Sequence, residues 1–95
     1  MTSVNELSNW FESQCNGDWE HQSGIRIETL DNPGWLVRID IVGTHLETRG
    51  VPNRREDDGS CRWMSIKLVD GTWEGAGDPT SLERLLEAFL EWAQA

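Results

Sequence analysis

The sequence predicts an α+β fold: one antiparallel sheet of three to five strands, with an N-terminal and a C-terminal helix packed on one face. Three observations point there. Apolar residues recur at helical spacing near both ends of the chain, over residues 4–14 and 82–93. Between them lie segments in which apolar and charged residues alternate, the pattern of half-buried strands. Asp31-Asn32-Pro33-Gly34 and Asp70-Gly71 punctuate those segments with turn chemistry. At 95 residues, without repeat, linker or low-complexity stretch, residues 1–95 are expected to form a single domain.

The first helix starts at a capping box, Ser3-Val4-Asn5-Glu6, and carries Val4, Leu7, Trp10 and Phe11 on its apolar side. Asn16-Gly17 stops it, because both residues accept a left-handed backbone. Gly24 to Leu30 reads as a strand, and Trp35, Val37, Ile39 and Ile41 share one face of the next, so the two form a hairpin around DNPG. A shorter strand is expected over residues 45–49. Residues 50–60, GVPNRREDDGS, read as a solvated loop, whose carboxylates lack the spacing of a calcium loop. Met64, Ile66 and Leu68 mark one face of the last long strand. Asp70-Gly71 suits a type I′ hairpin, so residues 72–75 are expected to pair back as a short edge strand. Thr80-Ser81-Leu82-Glu83 is a second capping box, and Leu82, Leu85, Leu86, Phe89 and Ala93 line the second helix. The expected core is Leu7, Trp10, Phe11, Ile25, Ile27, Val37, Ile39, Leu85, Leu86 and Phe89.

Hydrophobic residues make up only 37% of the chain, but six tryptophans supply bulk for a thin core. Eight Lys and Arg against 17 Asp and Glu leave a net charge of −9. That balance argues against nucleic acid and against anionic membrane, since phosphate contacts need cations. It suits either plain solubility or a basic protein partner. No leader-like segment or run of about 18 apolar residues is present, so a cytoplasmic protein is expected. Cys15 and Cys61 have no metal or disulfide spacing and are read as reduced packing thiols.

The densest chemistry lies in GDWEHQSGIRIETLDNPGW, residues 17–35. As a metal site, Asp18, Glu20 and His21, with His45, lack the spacing that a zinc site needs, and carboxylates at a hairpin mouth commonly bind backbone amides instead. General acid–base work by Glu20 and His21 requires a turn, because neighbours on an extended chain point apart. A sulfurtransferase reading of Cys61-Arg62 fails for want of a glycine-bearing loop to cradle the sulfur. No nucleophile elbow or phosphate loop occurs, so neither cofactor nor metal is expected and the chain is not read as an enzyme. Trp19 and Trp73, flanked by Asp18, Glu20 and Glu74, suit either interface anchors with a charged rim or lids over the core. The candidate partner-binding set is Asp18, Trp19, Glu20, His21, Glu56, Asp57, Asp58, Trp73 and Glu74. The alternative is a small enzyme or metal-dependent protein built on Glu20, His21 and Cys15.

The run from Trp10 through Gln14-Cys15, Gly17-Asp18-Trp19-Glu20-His21, Gly24-Ile25, Ile27 and Thr29-Leu30-Asp31-Asn32-Pro33-Gly34-Trp35 to Ile39-Asp40 resembles the immunity protein 53 family of bacterial polymorphic toxin systems. The C-terminal Leu82, Leu85, Phe89-Leu90 and Trp92 also look like that family's ending, so the likeness spans nearly the whole chain. Asn16 and Ser23 depart from it, standing where an acidic and an aromatic residue are expected. The resemblance implies a cytosolic antidote that binds and blocks a cognate toxin. Many such toxins are nucleases with basic clefts, which an acidic inhibitor would fit.

Overall fold

The computed structural model describes residues 3–50, 54–57, 59 and 62–94. Along the chain these form α1 (Ser3–Gln14), the one-turn α2 (Trp19–Gln22), β1 (Ile25–Leu30), β2 (Gly34–Asp40), β3 (Arg54–Asp57), β4 (Trp63–Val69), β5 (Thr72–Gly77) and α3 (Leu82–Gln94). The five strands make one sheet in the order β1-β2-β5-β4-β3, with every neighbouring pair antiparallel. The α+β architecture is the expected one.

Two hairpins build the sheet. The β1–β2 hairpin runs from Ile25↔Ile39 to Leu30↔Gly34. In the β4–β5 hairpin, Asp70 and Gly71 both take positive φ, 51° and 79°, as a type I′ turn requires. The hairpins join through β2–β5, from Trp35↔Gly77 to Asp40↔Thr72.

That junction corrects the expected topology. β5 is the central strand and runs to Gly77, rather than being a short edge strand. Residues 45–49 form turns instead of a strand, with Thr44, Glu47 and Arg49 amides donating to the carbonyls of Ile41, Thr44 and Leu46 at 3.1–3.2 Å. The place beside β2 therefore falls to β5, while Leu46 drops from the turns into the core, fully buried. The expected loop over residues 50–60 contains β3, which pairs with β4 from Arg54↔Ile66 to Asp57↔Trp63. Asp58 and Cys61 lie outside the described residues.

Both helices cover the face that carries Val37, Ile39, Met64, Ile66 and Trp73. Trp73 and Phe89 are completely buried and meet edge to face, with ring centroids 5.3 Å apart. Gly75 lies two residues along β5 from Trp73, on the same face, and an added Cβ there would stand 2.7 Å from the Trp73 ring. The glycine thus leaves the space in which the indole lies. Trp10 packs on Phe89 at 5.0 Å and on Trp19 at 5.9 Å, both contacts T-shaped. Among the described residues, the indole N–H groups of Trp10, Trp19 and Trp73 are buried without a hydrogen-bond acceptor.

Four expected core members sit differently, Ile25 among them as a partly buried residue at the core's margin. Trp10 and Phe11 are only partly buried, and Ile27 is 43% exposed. The reason is positional: β1 is an edge strand, and α1 stops short of closing over it. α3 carries most of the load, burying Leu85, Leu86, Ala88, Phe89, Leu90 and Ala93, whereas α1 buries only Ser3 and Leu7. The Ser3 hydroxyl, expected to cap its own helix, donates to Glu83 Oε2 at 2.8 Å and ties α1 to α3.

Asp78 joins the sheet to α3. Its carboxylate, 1% exposed, accepts from the Trp63 amide at 2.9 Å, the Thr80 amide at 2.8 Å, the Thr80 hydroxyl at 2.6 Å and Arg84 Nη2 at 2.8 Å. Its own carbonyl receives the Ser81 amide and hydroxyl at 3.0 and 2.7 Å. The Thr80 side chain and amide, the Trp63 amide and the Arg84 charge together hold the Asp78 carboxyl well below the usual carboxylate range, against the cost of burial.

Two outcomes are expected. Phe89→Ala, which empties the middle of the aromatic cluster, should lower stability by about 3–5 kcal/mol in denaturant unfolding. Asp78→Asn should cost roughly 2 kcal/mol at neutral pH, as hydrogen bonds to a charged acceptor weaken. Because the folded carboxyl binds its proton less tightly than the unfolded one, this stabilisation is complete above the unfolded value of about 3.9 and is lost as pH falls through the folded value. Urea titrations should therefore show the gap between wild type and Asp78→Asn narrowing below about pH 4.

Candidate functional site

The corner between α1 and β1 explains much of the densest sequence. Gly17 takes φ 95° as the helix ends. Asn16 Oδ1 then accepts the amides of Asp18 and Trp19 at 2.9 and 3.0 Å. The Glu20 carboxylate turns back on the same loop, accepting the amides of Asn16 at 2.9 Å and Gly17 at 2.8 Å. Hydrogen bonding from its own backbone amide, and from those two, holds the Glu20 carboxyl below its ordinary value, with a contribution from the His21 charge. Both Glu20 oxygens thus serve the loop. Asp18 and His21 are exposed on the corner's outside.

Cys15 is exposed, and its Sγ donates to the Phe11 carbonyl at 3.3 Å. Desolvation by its surroundings, followed by the Glu20 and Glu12 charges, pushes its thiol up. That is opposite to the electropositive setting which makes a reactive thiolate. Among the described residues, no three His, Cys, Asp or Glu side chains gather so as to hold a metal ion.

The other expected site residues are scattered. Trp19 is buried at 6% exposure against Trp10 and Phe11, and Trp73 is buried under α3, so both indoles are core members in this fold. Glu74 lies on the sheet face away from the helices, within 3.1 Å of Arg38 Nε and 3.7 Å of Lys67 Nζ. A mixed-charge hollow of about 410 Å³ beside it is lined by Arg26, Arg38, Asp40 and Thr72. Asp40 is already engaged there, accepting from the Gly24 amide and the Thr72 hydroxyl. Glu56 and Asp57 stand on β3, opposite Met64 and Trp63, with Asp57 exposed.

A different surface collects charge of one sign. Ser3 meets Glu83 at the start of the two long helices and Trp10 meets Phe89 further along, so α1 and α3 run side by side in the same sense. The cleft between them, about 270 Å³, is lined by Glu6, Glu83, Glu87 and Glu91, with no Lys or Arg among the described residues that line it. A second recess of about 380 Å³ shares Glu6 and Leu90 with it and adds Trp10, His45 and Ala93. Carboxylates beside partly apolar ground form a surface that attracts a cationic partner and offers it something to bury. The candidate set drawn from the sequence missed these residues. The signal was present, since Glu83, Glu87 and Glu91 recur every fourth position on the side of the last helix opposite its apolar stripe.

No helix among the described residues is long and apolar enough to cross a membrane. The family described as Immunity protein 53 matches residues 4–94. No curated protein and no solved structure matches the chain. A match over essentially the whole sequence, on an α+β domain with an acidic helical face, places the chain in the immunity protein 53 family.

Proposed function

We propose that the protein neutralises a cognate polymorphic toxin in the cytoplasm by binding it, and that the α1–α3 face is where the toxin docks. Family membership over residues 4–94 carries the first part. The carboxylate-lined cleft supports the second, because four acidic side chains and an adjoining apolar recess fit a basic toxin surface such as a nuclease's substrate cleft. Blocking that cleft needs no chemistry from the inhibitor. The engagement of Glu20 with its own loop and the raised thiol of Cys15 fit a binding protein better than a catalyst. Among the described residues of the set expected from the sequence, Asp18, His21 and Asp57 are exposed and remain surface candidates, with Glu74 half-buried in its ion pairs, while Trp19 and Trp73 would act by holding the surface in shape.

Co-expression with its cognate toxin should protect cells, and the purified pair should co-elute as a stoichiometric complex. A folded protein that neither binds that toxin nor protects against it overturns the proposal. Glu87→Lys with Glu91→Lys leaves the Ser3–Glu83 bond intact and should slow association by roughly tenfold at low salt, while flattening its dependence on ionic strength. Stopped-flow mixing across a salt series reads both, with Asp18→Lys and Asp57→Lys as comparison variants. Equal slowing by all three would move the docking face away from the helices.

Cys15→Ser combined with Cys61→Ser should leave protection unchanged. A folded double variant that no longer protects would point instead to thiol chemistry.

A further inference from the structure

β1 is an outer strand of the sheet, six residues long and paired with β2 in unbroken register. The Asp40 amide donates to the Gly24 carbonyl, so Gly24 faces β2 with its main-chain groups. Antiparallel pairing alternates every residue, so those of Arg26, Glu28 and Leu30 also face β2, while those of Ile25, Ile27 and Thr29 face outward. Such a row is a template for another strand. Beside it lies an apolar groove of about 460 Å³ between α1 and β1, where Val4 and Ile27 are 58% and 43% exposed over Leu7, Phe11 and Leu86.

We infer that this edge pairs with the same edge of a second copy of the chain, antiparallel about an axis at Ile27. The register follows from the sequence of β1. Two copies related about Ile27 set Ile27 against Ile27 and Ile25 against Thr29, which brings the outward-facing amides and carbonyls of both strands into register. On the other face, Arg26 stands opposite Glu28 twice. These are the non-hydrogen-bonded positions, where facing side chains are closest. Moving the axis by one residue puts Arg26 against Arg26 or Glu28 against Glu28. A half-residue shift matches outward groups to inward ones. The strand is thus complementary to itself in one register. Each copy's Ile27 also lands beside the other's groove, covering apolar surface that α1 leaves open. The acidic cleft lies on the opposite side of α1, so this pairing is separate from the proposed toxin face.

Sedimentation velocity on the full chain, from about 1 μM to several hundred, tests the pairing. Wild type should shift from monomer to dimer within that range. Arg26→Glu and Glu28→Arg each set like charges opposite one another, and each should raise the dimer dissociation constant by roughly tenfold or more. Mixed one to one, the two variants restore opposite charges at all four positions, so the mixture should recover the dimer. Both residues are exposed, and unchanged circular dichroism confirms folding. A wild type that stays monomeric, a dimer that survives both variants, or a mixture that fails to recover would each overturn the inference. A monomeric wild type whose toxin binding is lost in both variants would give the edge to the toxin instead.

Discussion

The space above Gly75 sets the arrangement of the core. Trp73 fills it, and Trp73 is the side chain through which the central strand meets Phe89 of α3. An indole of this size on an inner strand requires either a helix held further from the sheet or a strand neighbour with no side chain. The second solution is used here, and it allows α3 to bring Leu85 close to β5. Gly77 repeats the device at the end of the strand, where Ser81 occupies the space that a side chain would need. Asp78 then turns the chain into α3 at once, so the glycines and the carboxylate together fix the helix in position as well as in direction. Everything packed on α3, including α1, inherits that placement.

Local periodicity was enough to read both long helices, the two hairpins and the faces of β2 and β4. It was not enough to place β5. Thr72 to Gly77 carries two glycines and an alanine, which look like weakness in a strand read alone. Their value appears only when a tryptophan from the same strand and a helix from elsewhere share the space. The assignment of residues 45–49 failed for a different reason. Leu46 alternates with polar neighbours as a strand residue would, yet its burial comes from a run of turns that closes the core beside Ile41. The β5 misreading concerns contacts between distant residues, for which no short window of sequence holds a signal, whereas the turns over residues 45–49 are built from local i→i−3 bonds that alternation does not distinguish from a strand.

The candidate surface is legible in part. Tryptophan, carboxylate and histidine stand together in the WEH stretch, but two of those three residues are used by the fold: Trp19 under the aromatic cluster and Glu20 on two loop amides. A dense motif at a chain reversal can reflect the needs of the reversal itself. The acidic face had the quieter signature of a solvated helix. What distinguishes it is the second helix alongside, which contributes Glu6 and makes a cleft from a stripe.

The uneven burial of the two long helices has a dynamic consequence. α3 sinks six side chains into the core, while α1 fully buries two and otherwise holds on through the half-buried Trp10 and Phe11 and a hydroxyl–carboxylate bond at its first residue. The layer is therefore two cooperative units of unequal strength. Lifting α1 from α3 would break the Trp10–Phe89 contact but none of the strand pairings, so its amides should exchange with solvent before those of β2 or β5. Both the acidic cleft and the apolar groove have α1 as one wall. A ligand that grips either wall would quiet this opening, so occupancy of one surface would be felt at the other through the ordering of a single helix.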